Sequence, residues 1–176
     1  MPALQVDSFF FTFTPAVAAQ RYDTWQHYTT VWNASGGQKG VDVVAVENPA
    51  APTTVWLIEA KDFRIITSPP KPSNITGLPQ TVADKASHTL AGLADASAKG
   101  AVASERNHAT LAIAAPAKRV VLHLEPHIGV HTALFPRAFA ANVLQKLRQL
   151  VRAIDPNPLV LNMSNTVAAG VPWTVA

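Results

Sequence analysis

The chain contains no cysteine, and of its 176 residues only 14% are charged and 7% aromatic. Without cysteine there is no disulfide, no thiol nucleophile, no zinc finger and no thiolate-held iron–sulfur cluster. No apolar run approaches the roughly 20 residues that cross a bilayer as a helix, because Pro, Asp, Lys or Arg interrupts each one. A membrane is therefore not an expected partner. The apolar stretch from Phe9 lacks a basic start and follows Asp7, unlike a secretory signal, so the expected location is cytoplasmic. Scarce charge does not mean disorder, since 48% of residues are hydrophobic and such a chain has ample surface to bury. A chain of this length buries roughly 70% of the surface its unfolded form exposes, and residues 1–176 read as one domain. The formal charge of +3 permits contact with a polyanion but is far from that of a protein that coats DNA.

Along the chain, the Phe-rich segment 9–13 reads as a strand, and Thr14-Pro15 as the N-cap and first position of a helix. That helix is expected over 15–32, with Ala18, Tyr22, Trp25, Tyr28 and Trp32 on one face as core residues. Segments 41–46 and 54–61 are β-branched or apolar and flank the turn-forming Asn48-Pro49-Ala50-Ala51-Pro52, which predicts a β-hairpin. Residues 67–79 are broken by prolines and read as a long loop. A helix over 80–98 ending at Gly100, a strand over 119–125, a helix over 136–154 and a strand over 159–163 follow. The predicted order β, α, β, β, α, β, α, β implies an α/β sandwich with a mixed sheet.

The sharpest chemical signal lies in the hairpin: Gly40-Val41-Asp42 in its first strand and Glu59-Ala60-Lys61 in its second. Alternation along a strand puts Glu59 and Lys61 on one face. A turn centred on Ala50 pairs Asp42 with Ile58, give or take one residue, so Asp42 becomes a close neighbour of Glu59. Isolated charges on an apolar hairpin are costly to bury, and a hard divalent cation would offset that cost. Mg²⁺, with Mn²⁺ as its substitute, takes one or two carboxylates and completes its shell with water and substrate phosphate. Lys61 would then serve the attacking water and the charge that builds on the phosphate. A cross-strand salt-bridge ladder is the plain structural reading of the same three residues.

At these residues the sequence resembles the PD-(D/E)XK nuclease superfamily, with Asp42 matching its Asp and Glu59-Ala60-Lys61 its (D/E)-x-K. The run Lys61-Asp62-Phe63-Arg64 with Val82-Ala83-Asp84-Lys85 is similar to an uncharacterised bacterial subgroup of that superfamily. The resemblance covers about residues 15–125 and departs from the family's pattern at Val41, where Pro is frequent. It implies a restriction-endonuclease-like three-layer sandwich, a central mixed β-sheet flanked by helices. It also implies hydrolysis of a DNA or RNA phosphodiester, with Asp42 and Glu59 as metal ligands and Lys61 as the catalytic lysine. Many members of the superfamily also carry an acidic residue on the first helix, for which Asp23 is available, and a Gln or Lys on the helix after the motif, for which Gln80 and Lys85 are available. The alternative is a non-catalytic protein of the same fold that binds nucleic acid or another protein. The oligomeric state is left open by the sequence; a partner or a homodimer is a way for a chain with so little outside its core to grip its substrate.

Other signals compete. His123, His127 and His131 recur every four residues, but Pro126 and Gly129 break the helix that would align them as metal ligands. Residues 36–40 are glycine-rich yet lack the Gly-Lys-Ser/Thr ending of a phosphate-binding loop. Arg137, Lys146, Arg148 and Arg152 give the last long helix a basic outer face that could follow a phosphate backbone, although a solvated face with cations placed toward its C-terminus is the reading favoured.

Overall fold

Val43–Glu47 and Thr54–Asp62 carry apolar side chains at consecutive positions rather than alternate ones, a pattern that a strand tolerates when both of its faces are covered. The computed structural model describes residues 3–64, 72–127 and 134–176, and there these segments are β4 and β5 of a five-stranded sheet. Its order is β3 (Val17–Arg21), β4, β5, β6 (Ala117–Glu125), β7 (Leu159–Leu161). The first three strands are antiparallel neighbours, whereas β6 and β7 run parallel to β5. The sheet is thus mixed and the class α/β, as the hairpin and the intervening helices require.

Each face of the sheet has its own apolar cluster. Val44, Val46, Leu57, Val120 and Leu122 meet α2 (Leu78–Lys99), α3 (Ala103–Ala114) and α4 (Phe139–Leu150). Val43, Ala45, Ile58, Ala60 and Val121 meet a second sheet of β1 (Ala3–Val6), β2 (Phe9–Phe13) and β8 (Trp173–Val175). The described helices longer than one turn therefore share one face, and the antiparallel β1-β2-β8 sheet covers the other. Small side chains let the helices approach closely: Ala86, Gly92 and Ala96 of α2 and Ala109 and Ala112 of α3 are all buried.

Several expectations are corrected. No helix spans 15–32; β3 pairs there with β4, and a 3-10 turn at Tyr22–Thr24 and a π-type turn at Tyr28–Trp32 follow. The physical reason is that β4 needs an outer hydrogen-bonding neighbour, which outweighs the local Thr14-Pro15 helix signal. The aromatic residues do cluster, with Tyr22 5.1 Å from Trp25 and 5.0 Å from Tyr28 between ring centres, but by folding over one another rather than along a helix. Part of the 67–79 loop is helical, since α1 (Pro72–Thr76) and the start of α2 occupy it; residues 65–71 lie outside the described residues. The helix expected over 80–98 runs from Leu78 to Lys99, and that over 136–154 is confined to Phe139–Leu150. β1, α3 and β8 have no counterpart in the sequence reading. In α3 the buried residues are Glu105, His108, Ala109 and Ala112, so no stripe of large apolar side chains announces it.

The histidine series does not converge. His123 is fully buried on β6, edge-on to Phe9 at 4.8 Å and to Phe11 at 5.5 Å, while His127 bonds the Phe63 carbonyl at 3.0 Å. His131 lies outside the described residues. Among the described residues, no group of three or more His, Asp or Glu side chains is arranged to hold a metal, and no helix is long and apolar enough to cross a membrane.

Two tests follow from this packing. An Ala at Gly92 gains about 1 kcal/mol of helix propensity, yet its Cβ would overlap the Tyr22 hydroxyl and stand 2.9 Å from Trp32 Nε1. Gly92→Ala is therefore expected to destabilise the chain by about 1–3 kcal/mol in urea unfolding, against the propensity scale. Burial lowers His108 and His123 from an ordinary pKa of 6.5 to about 4 each. Above pH 6.5 both are neutral folded or unfolded, and between 6.5 and 4 only the unfolded chain takes the protons. Stability is expected to fall with falling pH through that window, by up to about 1.4 kcal/mol per pH unit per histidine. The His123→Leu variant should show the shallower slope, measured as unfolding free energy against pH.

Candidate active site

Glu59 lies on β5 two positions after Leu57, and so points to the helical face of the sheet. The hairpin register pairs Val43 with Ile58. One residue further it sets Asp42 opposite Glu59 rather than opposite Ile58, the other value that the sequence allows. That single step decides the site, because a one-residue slip would turn Asp42 to the opposite face. Asp42 is held from three sides. Its N–H donates to the Ile58 carbonyl at 3.1 Å, its carbonyl accepts the Tyr22 N–H at 2.9 Å, and its Oδ2 accepts the Ala60 N–H at 2.7 Å. The carboxylate thereby replaces a main-chain partner of β5 just where β4 begins.

Two lysines answer the two carboxylates. Lys61 Nζ is 2.7 Å from Glu59 Oε1. Lys85, on the second turn of α2, donates to both Glu59 oxygens at 2.7 and 2.8 Å and lies 3.7 Å from Asp42 Oδ1. Glu59 is wholly buried, while the Lys61 side chain remains 31% exposed, so the cluster has a buried floor and an accessible lysine. Burial, with Asp42 beside it, pushes the Glu59 carboxyl above its usual range against the pull of Lys61 and Lys85. For Lys61, burial alone would lower the ammonium, but Glu59 and Asp42 overcome it and raise the pKa. Lys61 is therefore a cation at neutral pH, suited to stabilise developing negative charge rather than to take a proton from water.

The remaining expected residues sit at the margin. Asp23 belongs to the 3-10 turn, not to a helix, and its carboxylate is engaged by Arg21 at 3.0 and 2.5 Å. Gln80 is exposed on α2 and donates to Asp84 at 2.7 Å. The α2 residue that reaches the carboxylates is Lys85. Beyond Lys61, Asp62 is bonded by Arg64 and by the Ser8 hydroxyl; burial would raise it, but these donors hold it down at about 2.

Thr89 was not read from the sequence. It is fully buried on α2, one turn beyond Lys85, and its Oγ1 accepts the Val41 N–H at 2.9 Å. A polar residue four positions after Lys85 on a helix face otherwise made of Val82, Ala86 and Leu93 was the available signal. Lys85 and Thr89 thus fasten α2 to the Asp42 strand at two points, one on side chains and one on the main chain.

Two carboxylates directed at one ammonium are hard oxygen donors that already concentrate negative potential on a single cation. A donor set of that size fits Mg²⁺ or Mn²⁺ in sites where water and substrate phosphate complete the shell. Asp42 and Glu59 are the residues that would hold it.

No protein-family model matches the chain, and no solved structure matches it. The chain is similar to a cysteine–tRNA ligase of Neisseria meningitidis serogroup A, with 27% identity over an alignment 203 positions long. The match takes in 94% of this chain but 28% of the ligase, so the chain spans less than a third of that relative's length.

Replacing Thr89 by Val keeps the shape and leaves the Val41 N–H buried without an acceptor, which costs about 1–3 kcal/mol. Thr89→Val is expected to lose that much stability in urea unfolding, and Thr89→Ser to recover most of it. Equal stability of the Thr89→Val and Thr89→Ser chains would remove the hydroxyl from this role.

Proposed function

We propose that the chain is a divalent-cation-dependent nuclease, with Asp42 and Glu59 holding the ion and Lys61 stabilising charge on the scissile phosphate. The observation that carries this reading is the convergence of Asp42 and Glu59, from adjacent strands, on one cationic point, with a second lysine retained as an ammonium beside them. The cluster lies toward the C-terminal end of β5, next to parallel β6, where open α/β sheets characteristically bind ligands. Further support comes from the order of elements. The hairpin, the helix after it and the strand that follows are similar in order to what the restriction-endonuclease-like resemblance implies, while the helix it places before the hairpin is here the strand β3 and one face of the sheet is covered by β1, β2 and β8.

When bound, Mg²⁺ or Mn²⁺ supplies a Lewis acid for the phosphoryl oxygen and lowers the pKa of water. Glu59 and Asp42 provide the negative potential that would hold it, and the hydrogen bond from Ala60 keeps Asp42 from turning away. Lys85 and Lys61 together balance the carboxylates in its absence, so the site tolerates a buried Glu59 beside a partly buried Asp42 without a metal. Lys61 meets the charge that accumulates on the phosphate, a role worth roughly 10²–10³ in rate for one well-placed donor. The likeness to part of a tRNA ligase adds tRNA to the nucleic acids to be tried.

The test is cleavage of labelled single- and double-stranded DNA and RNA, tRNA included, in Mg²⁺, Mn²⁺ or EDTA. Cleavage that needs the metal and falls about 10²–10³-fold in Lys61→Ala is expected, with melting curves showing that variant folded. Cleavage that persists in EDTA, or at full rate in Lys61→Ala, overturns the reading. A folded chain that binds nucleic acid without cutting it assigns the non-catalytic alternative.

A further inference from the structure

Charge is unevenly spread along the chain: residues 126–154 contain no Asp or Glu but include Arg137, Lys146, Arg148 and Arg152. All four of these cations are exposed. Against residues 134–146 of this stretch, between α4 and the α1–α2 junction, runs a groove of about 560 Å³. Ile75, Pro79, Phe139 and Val143 form apolar walls, and Asn142 and Lys146 bring polar ends to it. Phe139 is braced edge-on against Phe135, with ring centres 5.1 Å apart, so its ring is held in place. Pro79 stands six residues before Lys85 on α2, a rise of about 9 Å along the helix. The groove and the Asp42–Glu59 site thus share α2, about 9 Å apart along its axis.

Resting on the nuclease reading, we propose that this groove receives an unpaired base of a single-stranded nucleic acid, with the adjoining phosphates against Lys146 and its cationic neighbours. The substrate class is thereby single strands rather than duplexes. A base offers an apolar face for the Phe139 ring and a polar edge for the Asn142 amide, and both chemistries are present in the one groove. In a duplex the base faces are stacked and the edges paired, and only a flipped nucleotide reaches a concave site. The absence of carboxylates over residues 126–154 removes the repulsion that a phosphate chain would otherwise meet.

The experiment is fluorescence anisotropy in EDTA, so that binding is read without cleavage, using labelled 12-mer single-stranded DNA, the same sequence as RNA, and each as a duplex. Single strands are expected to bind at least about tenfold more tightly than duplexes. Phe139→Leu, which keeps apolar volume and removes the aromatic face, should weaken single-strand binding about tenfold while leaving the melting temperature near that of the parent chain. Lys146→Gln should flatten the dependence of log affinity on log salt by about 0.7. Equal affinity for duplexes, no binding at all, or folded Phe139→Leu and Lys146→Gln chains that bind as the parent does, overturns the proposal. So does binding insensitive to salt and displaced by an apolar peptide, which would make the groove a peptide site. Groove-dependent binding without metal-dependent cleavage fails the nuclease reading alone; cleavage with unaltered binding by both variants fails the groove alone.

Discussion

The buried carboxylate of Glu59 is the constraint around which the rest of the structure is arranged. An ionised acid taken out of water costs several kcal/mol even after relaxation, and Glu59 is wholly buried in the middle layer of the protein. The cost is offset only because α2 brings Lys85 onto both carboxylate oxygens while β5 itself supplies Lys61. For Lys85 to arrive, α2 must lie flat on the sheet, which the small buried side chains at Ala86 and Gly92 permit. For Asp42 to share the same ammonium, the hairpin must hold the register that sets Val43 against Ile58. Helix docking, strand register and the local ion balance are thus one coupled requirement.

Compensation by lysine also separates the two acids chemically. Asp42 spends one oxygen on the Ala60 N–H and is a ladder partner as much as a charge, whereas among the described residues Glu59 is held by the ammonium groups of Lys61 and Lys85. An incoming divalent cation would compete with Lys85 for Glu59 but would leave the main-chain bond of Asp42 intact. The same arrangement explains why Lys61 remains a cation despite partial burial: the carboxylates of Glu59, Asp42 and Asp7 together outweigh its desolvation.

The two faces of the sheet are specialised by what covers them. The face carrying Asp42, Glu59 and Lys61 is closed by helices, whose polar side chains can reach in at chosen positions, as Lys85 and Thr89 do. The opposite face, under β1, β2 and β8, is packed by Phe9, Phe11, Phe13 and Trp173. The one imidazole there, His123, is enclosed by phenylalanines and finds no hydrogen-bond partner among the described residues. Aromatic residues line both faces, Tyr22 and Trp25 on the helical side and Phe9, Phe11, Phe13 and Trp173 on the other, whereas the Asp42–Glu59–Lys61 cluster lies on the helical side, where strand alternation places it.

The sequence by itself determined the mixed α/β class, the β4–β5 hairpin and the association of Asp42, Glu59 and Lys61, because each is written in short-range patterns: consecutive apolar residues, turn chemistry and alternation by two. It also pointed to the helix that carries Lys85. Only the tertiary structure decided that residues 17–21 form a strand, since the pairing that makes them one comes from β4, more than 20 residues away. It alone showed α3, whose buried positions are alanines and polar residues, and β8, a three-residue strand that exists through its pairing with β2. It chose the register that faces Asp42 with Glu59, preferred Lys85 over Gln80 as the partner from α2, and revealed the Thr89 bond to Val41. These are contacts between distant segments, set by which surfaces close over a buried acid, and no local period in the chain encodes them.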